Sequence, residues 1–249
     1  MLTEQRHEII LNILNEKGSI TVSELKEMLD ISESTARRDL TELDRDKKLV
    51  KVFGGAVALD NSVITGELSF SQKTQVNVEE KKIIAKYAAS LIEPGDFVYL
   101  DAGTSTEFMI DYINCREATY VTNAVLHARR LAEKGLKVII IGGELKQTTE
   151  AVVGAQAILD MERYNFTKGF FGTNGVSRSN GFTTPDNAEA HGKSVAISRC
   201  RSRFILADND KFGKTSAVKF ANFEDATVIT DTEPTGHYQN CENIISVSK

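Results

Sequence analysis

Residues 32–45, SESTARRDLTELDR, are the segment from which the fold of the N-terminal part can be worked out. Ser32 is a residue type that favours the position before a helix, because its hydroxyl accepts a hydrogen bond from a backbone N–H of the first turn. Ala36, Leu40 and Leu43 then recur at helical spacing and form one apolar face. The segment therefore predicts a helix that follows Ser32 and buries this face.

The opposite side of the predicted helix has a composition typical of a DNA-reading surface. Arginine can form paired hydrogen bonds to guanine in the major groove, and hydroxyl groups reach bases or phosphates. Basic residues continue the positive charge into the next segment, where contacts to phosphate are expected. The predicted DNA-binding residues are Ser34, Thr35, Arg37, Arg38, Thr41, Arg45, Lys48 and Lys51. The alternative for this face is a solvated helix with ion pairs between residues four positions apart.

The neighbouring segments complete a recognisable module. Two helical patterns precede the segment, and a capping box at residues 21–24 opens the second of them. Residues 49–53 and 56–59 are typical of two short strands joined by a pair of glycines. Two helices, a turn, a third helix and a hairpin predict a winged helix-turn-helix over residues 1–59.

The charge and the cysteines restrict the class of protein. The 249 residues include 30 Lys and Arg against 35 Asp and Glu, a formal net charge of -5, so DNA binding requires positive charge concentrated on one face. Asp39 and Glu42, within the third helix, are expected to pair inside it or to cap neighbouring elements. Three widely spaced cysteines fit neither a disulfide framework nor a zinc site. Without a signal-peptide pattern or a bilayer-spanning apolar run, the sequence predicts a soluble cytoplasmic protein with no membrane association, metal or cofactor.

The C-terminal part has a different pattern. Residues 60–77 are polar and lack an apolar period, which predicts a linker. A helical pattern at residues 78–92 opens a second domain, predicted over residues 78–249, in which β-rich runs alternate with helical ones. This alternation predicts an α/β domain with a doubly wound parallel sheet. The predicted strands are 97–101, 119–122, 137–142, 168–172, 203–207 and 227–230, and the later helices are 106–113, 124–134, 151–161 and 188–199.

Polar loops follow several of these strands. The run AGTST at residues 102–106 leads from a strand into a helix, where free backbone N–H groups favour an anion. Because the carboxyl ends of parallel strands meet at one edge of a sheet, the loops are expected to converge on a ligand. The predicted effector-binding residues are Asp101, Gly103, Thr104, Ser105, Thr106, Thr122, Asn123, Gly142, Gly143, Asn174, Gly175, Glu189, Lys193, Asp208 and Lys211. The structural alternatives are a capped helix at the first loop, an exposed helix ion pair at Glu189 and Lys193, and a solvated turn at Asp208.

Taken together, these motifs resemble the DeoR family of bacterial sugar-metabolism repressors, over essentially the whole chain. STARRDL at 34–40 and VFGGA at 52–56 resemble the N-terminal signature of the family. The C-terminal stretches that resemble the family are DAGTST at 101–106, GTNG at 172–175, Glu189-Ala190 with Lys193, and DNDKFG at 208–213. The departures are Phe53 in place of His or Tyr, Ser105 in place of Thr, and Asn209-Asp210 in place of Ser-Ser.

The resemblance implies both a fold and a function. The sensor domain is expected to resemble ribose-5-phosphate isomerase and glucosamine-6-phosphate deaminase in fold and to bind a phosphorylated sugar. The chain is most similar to the fructose-operon repressors of Gram-positive bacteria, which implies release from double-stranded operator DNA on binding fructose 1-phosphate. Because helix-turn-helix dimers match half-sites about one helical turn or multiples apart, we expect the chain to act as a homo-oligomer. Tagatose 6-phosphate, fructose 6-phosphate and glycerol 3-phosphate stay open as effectors. The alternatives are an activator, or an isomerase-like enzyme that uses Asp101, Glu189 and Lys193 for acid-base chemistry.

Overall fold

The protein is described from a computed structural model that covers residues 2–17, 19–46, 48–58, 69–234 and 238–248. The chain forms two compact units. The first comprises residues 1–63 with 235–239, and the second comprises residues 64–234 with 240–249. No helix in the described ranges has the length and apolar content needed to cross a membrane.

The N-terminal unit is a winged helix-turn-helix, as predicted. Its antiparallel sheet has the strand order β1-β3-β2 within the described residues. The elements are α1 (Thr3–Lys17), β1 (Ser19–Thr21), α2 (Val22–Leu29), α3 (Glu33–Arg45), β2 (Leu49–Val52) and β3 (Gly55–Ala58). We call the β2–β3 hairpin the wing. Leu59, the end of the predicted second wing strand, lies outside the described residues.

Local signals explain how these helices begin and how they pack. The Thr21 hydroxyl and the Glu24 carboxylate form a reciprocal capping box at α2, and the Ser32 hydroxyl accepts a hydrogen bond from Thr35 N at α3 (3.1 Å). The apolar face of α3 is fully buried against α1, α2 and the sheet. A Cβ atom at Gly55 would lie 2.2 Å from the Ile20 carbonyl oxygen, so the approach of β3 to β1 requires glycine there.

The second unit is an α/β domain. In the described part of the chain its main sheet has seven strands, all parallel, in the order β15-β14-β12-β9-β4-β5-β6. These strands are β4 (Phe97–Leu100), β5 (Thr119–Thr122), β6 (Lys137–Ile140), β9 (Phe166–Gly172), β12 (Cys200–Leu206), β14 (Thr227–Thr230) and β15 (Ile244–Ser246). The smaller sheets are β7 (Glu144–Lys146) with β8 (Ala151–Val153), and β10 (Gly175–Ser177), β11 (Gly181–Thr184) and β13 (Val218–Ala221).

Helices cover both faces of the main sheet, which confirms the predicted doubly wound class. The helices are α4 (Phe70–Thr74), α5 (Val78–Ser90), α6 (Thr104–Tyr112), α7 (Val125–Glu133), α8 (Ala155–Glu162) and α9 (Asn187–Ser198). Helices α5, α6 and α7 pack on the face that carries Val98 and Leu100. Because side chains alternate along a strand, Tyr99 and Phe171 lie on the other face, where α9 packs on β9 and α8 packs on α9.

The short strands β1, β7, β10, β11, β13 and β15 have no counterpart among the strands predicted from the sequence. The structure also differs from the sequence-based expectations in the following two segments. Residues 151–153 of the predicted 151–161 helix form β8, because Gly154 adopts a φ of 96° and separates that strand from α8. Within the predicted linker, Phe70–Thr74 form α4, which Ser69 and Gln72 cap reciprocally. None of the five residues of this described helix is buried, so it carries no apolar period. The linker residues 59–68 lie outside the described ranges.

Candidate functional site

The predicted DNA-binding residues lie on α3, except Lys48 and Lys51, which lie at the base of the wing and on β2. All of them are exposed except Thr35, which is half-buried. Arg37 Nη2 lies 2.7 Å from Glu33 Oε1, and Arg38 Nε lies 3.9 Å from Glu42 Oε1. Exposed pairs of this spacing contribute only about 0.2–0.5 kcal/mol. Both guanidinium groups can therefore exchange their carboxylate partners for phosphates or bases.

Hydrogen bonds attach the wing to α3. Lys51 Nζ donates to Thr41 Oγ1 at 2.7 Å, and the Lys51 backbone N–H donates to Asp44 Oδ1 at 3.0 Å. The wing and the outer face of α3 therefore form one surface. Lys48, at the base of the wing, is exposed on the N-terminal unit.

A buried ion pair lies beneath this surface. Arg6 Nε and Nη2 donate to the two oxygens of Asp39 at 2.7 and 3.0 Å. Burial opposes ionisation of Asp39, but the Arg6 guanidinium outweighs it and holds the pKa of the carboxyl below its usual value. The expected pairing of Asp39 within α3 is wrong, because this residue is fully buried and joins α3 to α1.

One group of side chains on this unit has the spacing of metal ligands. Ligand atoms of His7, Asp39 and Glu42 lie within 4.8 Å of one another. However, both oxygens of Asp39 already accept hydrogen bonds from Arg6, whose permanent positive charge opposes a cation at this position. The chemistry of the group fits an ion-pair network better than a metal centre.

The second unit has a cavity of about 270 Å³ at the carboxyl ends of its central strands. The chain runs from β4 outward through β5 to β6, then returns to β9 on the other side of β4 and continues outward to β15. Open α/β sheets bind their ligands at such a reversal of strand order. The residues lining the cavity are Phe70, Lys73, Val76, Asn77, Lys81, Ala102, Gly103, Thr104, Ser105, Thr149, Gly172, Thr173, Asn174, Glu189, Lys193, Asp210, Lys211 and Lys214.

One side of the cavity is suited to an anion. Gly103 precedes α6, and Thr104 and Ser105 begin it, so the first-turn N–H groups, which have no intrahelical acceptor, lie at the cavity wall. Lys81 is buried beside them, and its Nζ donates to the Lys73 carbonyl oxygen. Burial lowers the pKa of Lys81 to about 8; the Asp208 carboxylate opposes this shift, and the Lys211 and Lys73 cations add to it. A bound anion would stabilise the charged form of Lys81.

The other side holds the buried residues Lys193 and Glu189. Lys193 Nζ forms an ion pair with Asp101 Oδ2, which lies behind the cavity and also accepts a hydrogen bond from Gly172 N at 3.1 Å. Burial raises the pKa of Asp101, although Lys193 opposes the shift. Glu189 Oε1 accepts hydrogen bonds from the Thr149 hydroxyl and, at 2.9 Å, from Lys146 Nζ. A carboxylate fixed in the way that Glu189 is can accept hydrogen bonds from the hydroxyl groups of a ligand.

The structure divides the predicted effector-binding residues into two sets. Those that line the cavity are Gly103, Thr104, Ser105, Asn174, Glu189, Lys193 and Lys211. The others support it from behind or make turns, as the following contacts show. Asp101 pairs with Lys193, and Asn123 Oδ1 accepts a hydrogen bond from Ala102 N at 2.9 Å.

The remaining members of the second set bind the protein itself. Thr106 Oγ1 donates to the Asp101 and Gly103 carbonyls at 2.6 and 2.8 Å, and Thr122 Oγ1 accepts from Ala124 N at 3.1 Å. Asp208 Oδ1 accepts from Asn77 Nδ2 at 3.0 Å. Gly142 N donates to Asp160 Oδ2 at 3.3 Å, Gly143 packs against the Val153 carbonyl, and Gly175 packs against the Lys214 carbonyl.

Sequence reasoning missed several cavity residues: Phe70, Lys73, Asn77, Lys81 and Lys214. Lys81 had a usable signal, because it shares helical spacing with the buried residues Ile84, Ala85 and Ala88. A lysine on the apolar face of a helix is unusual unless it has a partner. Phe70 and Lys73 lie on α4, which has no such pattern.

These two regions define a class of protein: a DNA-binding regulator with a winged helix-turn-helix and a separate α/β sensor domain. The sequence matches the DeoR-like helix-turn-helix domain over residues 6–62 and the DeoR C terminal sensor domain over residues 76–232. The chain therefore belongs to the DeoR family. It is a DeoR-type transcriptional repressor rather than an enzyme.

Several relatives are similar over nearly their whole length. The Bacillus subtilis (strain 168) protein named "Uncharacterized HTH-type transcriptional regulator FruR" is 41% identical over 231 residues, 92% of this chain and 91% of its own. The lactose phosphotransferase system repressor of Staphylococcus aureus (strain NCTC 8325 / PS 47) is 34% identical over 251 residues, 99% of both chains.

Solved structures show more distant similarity. Ribose 5-phosphate isomerase A from Methanocaldococcus jannaschii aligns with a TM-score of 0.40 at 12% identity, over 55% of each chain. The sorbitol operon regulator SorC from Klebsiella pneumoniae aligns with a TM-score of 0.39 at 11% identity, over 77% of this chain and 85% of its own.

Proposed function

We propose that this protein represses a sugar-utilisation operon, that of fructose, and leaves its operator when a phosphorylated sugar such as fructose 1-phosphate fills the cavity. The relatives named FruR and lactose phosphotransferase system repressor support the sugar-operon role. The observation that carries the effector class is the arrangement of the cavity itself. A helix N-terminus and lysines occupy one side, and the buried residues Glu189 and Lys193 occupy the other.

The anion side accounts for a phosphate. Backbone N–H groups at a helix N-terminus bind phosphate through hydrogen bonds and through the favourable end of the helix dipole. Lys81 and Lys211 add positive charge at the same wall. A phosphate dianion there would offset the repulsion among these lysines, which an uncharged sugar cannot do.

The carboxylate side accounts for the sugar. Glu189 is positioned by Lys146 and Thr149, so this carboxylate needs no reorganisation when it accepts a hydroxyl. Asp101 lies behind the cavity and holds Lys193, which lines it and can donate a hydrogen bond to a ligand oxygen. Fixed acceptors of this kind discriminate between ligands by the positions of their hydroxyl groups. Inorganic phosphate alone would leave this side of the cavity unused.

Residues 69–77 offer a route from the cavity to the DNA-binding unit. This segment follows that unit in the chain, and its residues Phe70, Lys73, Val76 and Asn77 line the cavity. Polar contacts attach it: Phe70 N donates to Thr148 O at 3.1 Å, and Asn77 Nδ2 donates to Asp208 and Asp210 at 3.0 and 2.9 Å. A ligand that contacts α4 would favour one arrangement of this segment, and that differential binding is what couples two sites.

The active form is proposed to be a homo-oligomer on double-stranded operator DNA. Helix-turn-helix proteins commonly bind as dimers, because two heads then match half-sites about one helical turn apart. The effector would change the geometry of two such heads and so weaken operator binding. An activator would instead raise transcription when bound to its operator. A reporter assay in a strain that lacks the gene for this protein distinguishes a repressor from an activator.

Calorimetric titration of the full chain tests the effector class. Fructose 1-phosphate, fructose 6-phosphate, tagatose 6-phosphate, glycerol 3-phosphate, free fructose and inorganic phosphate form the panel. We expect one sugar phosphate to bind at least tenfold more tightly than both free fructose and inorganic phosphate, and to release operator DNA in a gel shift. Free fructose binding as tightly as its phosphates would overturn the proposal.

Variants assign that binding to the cavity. Three variants, Thr104→Ala, Lys211→Ala and Lys81→Met, should each lower the affinity for the sugar phosphate by about tenfold. This is the effect of losing one charged hydrogen bond of about 1.5 kcal/mol or more. Lys82→Met is the matched control, because this neighbouring lysine is exposed and pairs with Glu79. Equal losses in Lys82→Met and Lys81→Met would refute the cavity as the binding site.

A further inference from the structure

Phe53, at the tip of the wing, is fully exposed. Its relative exposure is 108%, whereas the next most exposed large apolar residue in the described ranges is Leu2 at 70%. Gly54, with a φ of 83°, makes the turn that holds Phe53 at this tip. An aromatic side chain in this position gains nothing from packing within its own unit. Its apolar surface is therefore available to a partner.

Phe53 follows two exposed apolar residues on the outer strand of the wing, and we call the three residues the apolar strip. β2 is an edge strand in the sheet order β1-β3-β2, and Val50 and Val52 on it are 41% and 43% exposed. Because side chains alternate along a strand, Val50 and Val52 lie on one side of β2, and Lys51 lies on the other. β2 ends at Val52, and Phe53 follows in the turn.

The position of this strip relative to α3 is fixed. Lys51 Nζ and N bond to Thr41 and Asp44 on α3, so the wing cannot move independently of the helix. Phe53 lies two residues beyond Lys51, or about 7 Å further along the strand direction. When α3 occupies a major groove, the wing therefore extends past the edge of that groove, across the phosphate backbone.

The charges beside the strip identify the partner. Lys51 on β2 and Lys48, which directly precedes β2, are exposed, and they match the phosphates that border a groove. An apolar tip beyond these cations fits the minor groove, whose walls are deoxyribose rings and whose floor is base edges. Proteins that bind this groove often insert Phe or Leu against a base step.

We propose that Phe53 is an apolar wedge that enters the minor groove beside the major groove read by α3 and deforms the DNA there. The proposal rests on the DNA-binding role of α3. The ring would pack against deoxyribose and partly unstack one base step. Flexible pyrimidine–purine steps are the easiest to deform, so the wedge adds sequence preference at a position that hydrogen bonds from α3 do not reach.

The test compares Phe53→Ala and Phe53→Leu with the wild-type full chain on operator DNA. Gel-shift titration measures affinity, and circular permutation of the site measures bending. Phe53→Ala should lower operator affinity by about tenfold or more, the effect expected from losing the burial of one large apolar side chain. It should also reduce the bend, whereas Phe53→Leu should retain most of both.

Two further measurements separate the wedge from general effects. Lys48→Ala should reduce the salt dependence of binding, and Phe53→Ala should leave it unchanged, because a wedge neutralises no phosphate. Leu2→Ala is the matched control for an exposed apolar residue on the same unit. Phe53 packs against nothing, so the thermal midpoint of Phe53→Ala should equal that of the wild type.

Three outcomes would overturn the proposal. If Phe53→Ala binds and bends DNA as the wild type does while Arg37→Ala has lost the operator, the wedge is refuted and the DNA-binding role stands. If Phe53→Ala instead changes the sedimentation of the chain without DNA, the strip contacts a second copy. A wild-type chain that shows no preference for its operator refutes the proposed function itself, independently of Phe53.

Discussion

The outer face of α3 and the cavity of the second unit both carry the cations that we propose bind phosphate, but these cations lie in opposite surroundings. Arg37 and Arg38 are more than half exposed, while Lys193 and Lys81 are 6% and 4% exposed. Exposed cations exchange partners at little cost and are screened by salt, which suits a long polyanion. Buried cations require fixed partners, and that requirement suits the selection of one small anion.

The same difference predicts which ion pairs matter for folding. Lys193→Met leaves the buried Asp101 carboxylate without its partner, and we expect it to destabilise the second unit by about 3–5 kcal/mol. Chemical denaturation followed by circular dichroism measures this loss. The matched control is Arg129→Ala, which removes an exposed pair with Glu133 and should cost less than about 1 kcal/mol.

A double variant separates the unpaired charge from lost packing. Asp101→Asn with Lys193→Met removes both charges, and it should recover most of the stability that Lys193→Met alone loses. If the double variant is no more stable than the single one, the ion pair is not the cause. If Lys193→Met lowers the free energy of unfolding as little as Arg129→Ala does, buried and exposed ion pairs do not differ in their contribution to stability.

The N-terminal unit contains its own buried pair, which sharpens the comparison. Asp39→Asn keeps the shape of the side chain but removes its charge beside Arg6, and should cost about 2–3 kcal/mol at pH 7. The pKa of Asp39 is lowered in the folded state, so its contribution is present above the unfolded pKa of about 3.9 and is lost as pH falls through the folded value.

Stability measured against pH checks this sign. The difference between wild type and Asp39→Asn should be constant from pH 7 to about pH 5 and should shrink below about pH 4. Asp101 should behave in the opposite way, because burial raises its pKa. Its favourable contribution is present below its unfolded pKa and is lost as pH rises through the folded value. A difference that stays constant down to pH 2 would show that Asp39 is not ionised in the fold.

The two regions also differ in how far the sequence predicts them. Helix α3 is predicted by signals that lie within about one turn of each other, such as the Ser32 cap and the spacing of Ala36, Leu40 and Leu43. The structure contains that helix. Asp39 is the exception: its partner lies 33 residues away on α1, where no local pattern points to it.

The cavity is assembled from distant segments. Asp101, after β4, and Lys193, within α9, are 92 residues apart, and only the rule that parallel strands share a carboxyl edge brought their segments together in the prediction. That rule brings loops together without distinguishing a ligand contact from a turn. Gly143 has a φ of 147° and a close approach to β8, which account for glycine there without any ligand. The wall contributed by α4 could not be predicted, since a helix without a buried face has no apolar period.

Operator binding tests the role of the exposed cations on α3. Arg37→Ala and Arg38→Ala should each weaken operator binding by about 1–3 kcal/mol and reduce discrimination against random DNA, whereas Lys48→Ala should weaken both kinds of DNA about equally and lower the salt slope by about 1. Gel-shift titrations at several salt concentrations separate these effects. Each variant should keep wild-type stability, because the pairs of Arg37 and Arg38 are exposed. Intact operator binding in both arginine variants would show that α3 is not the reading helix, and would leave its charged face as a solvated surface.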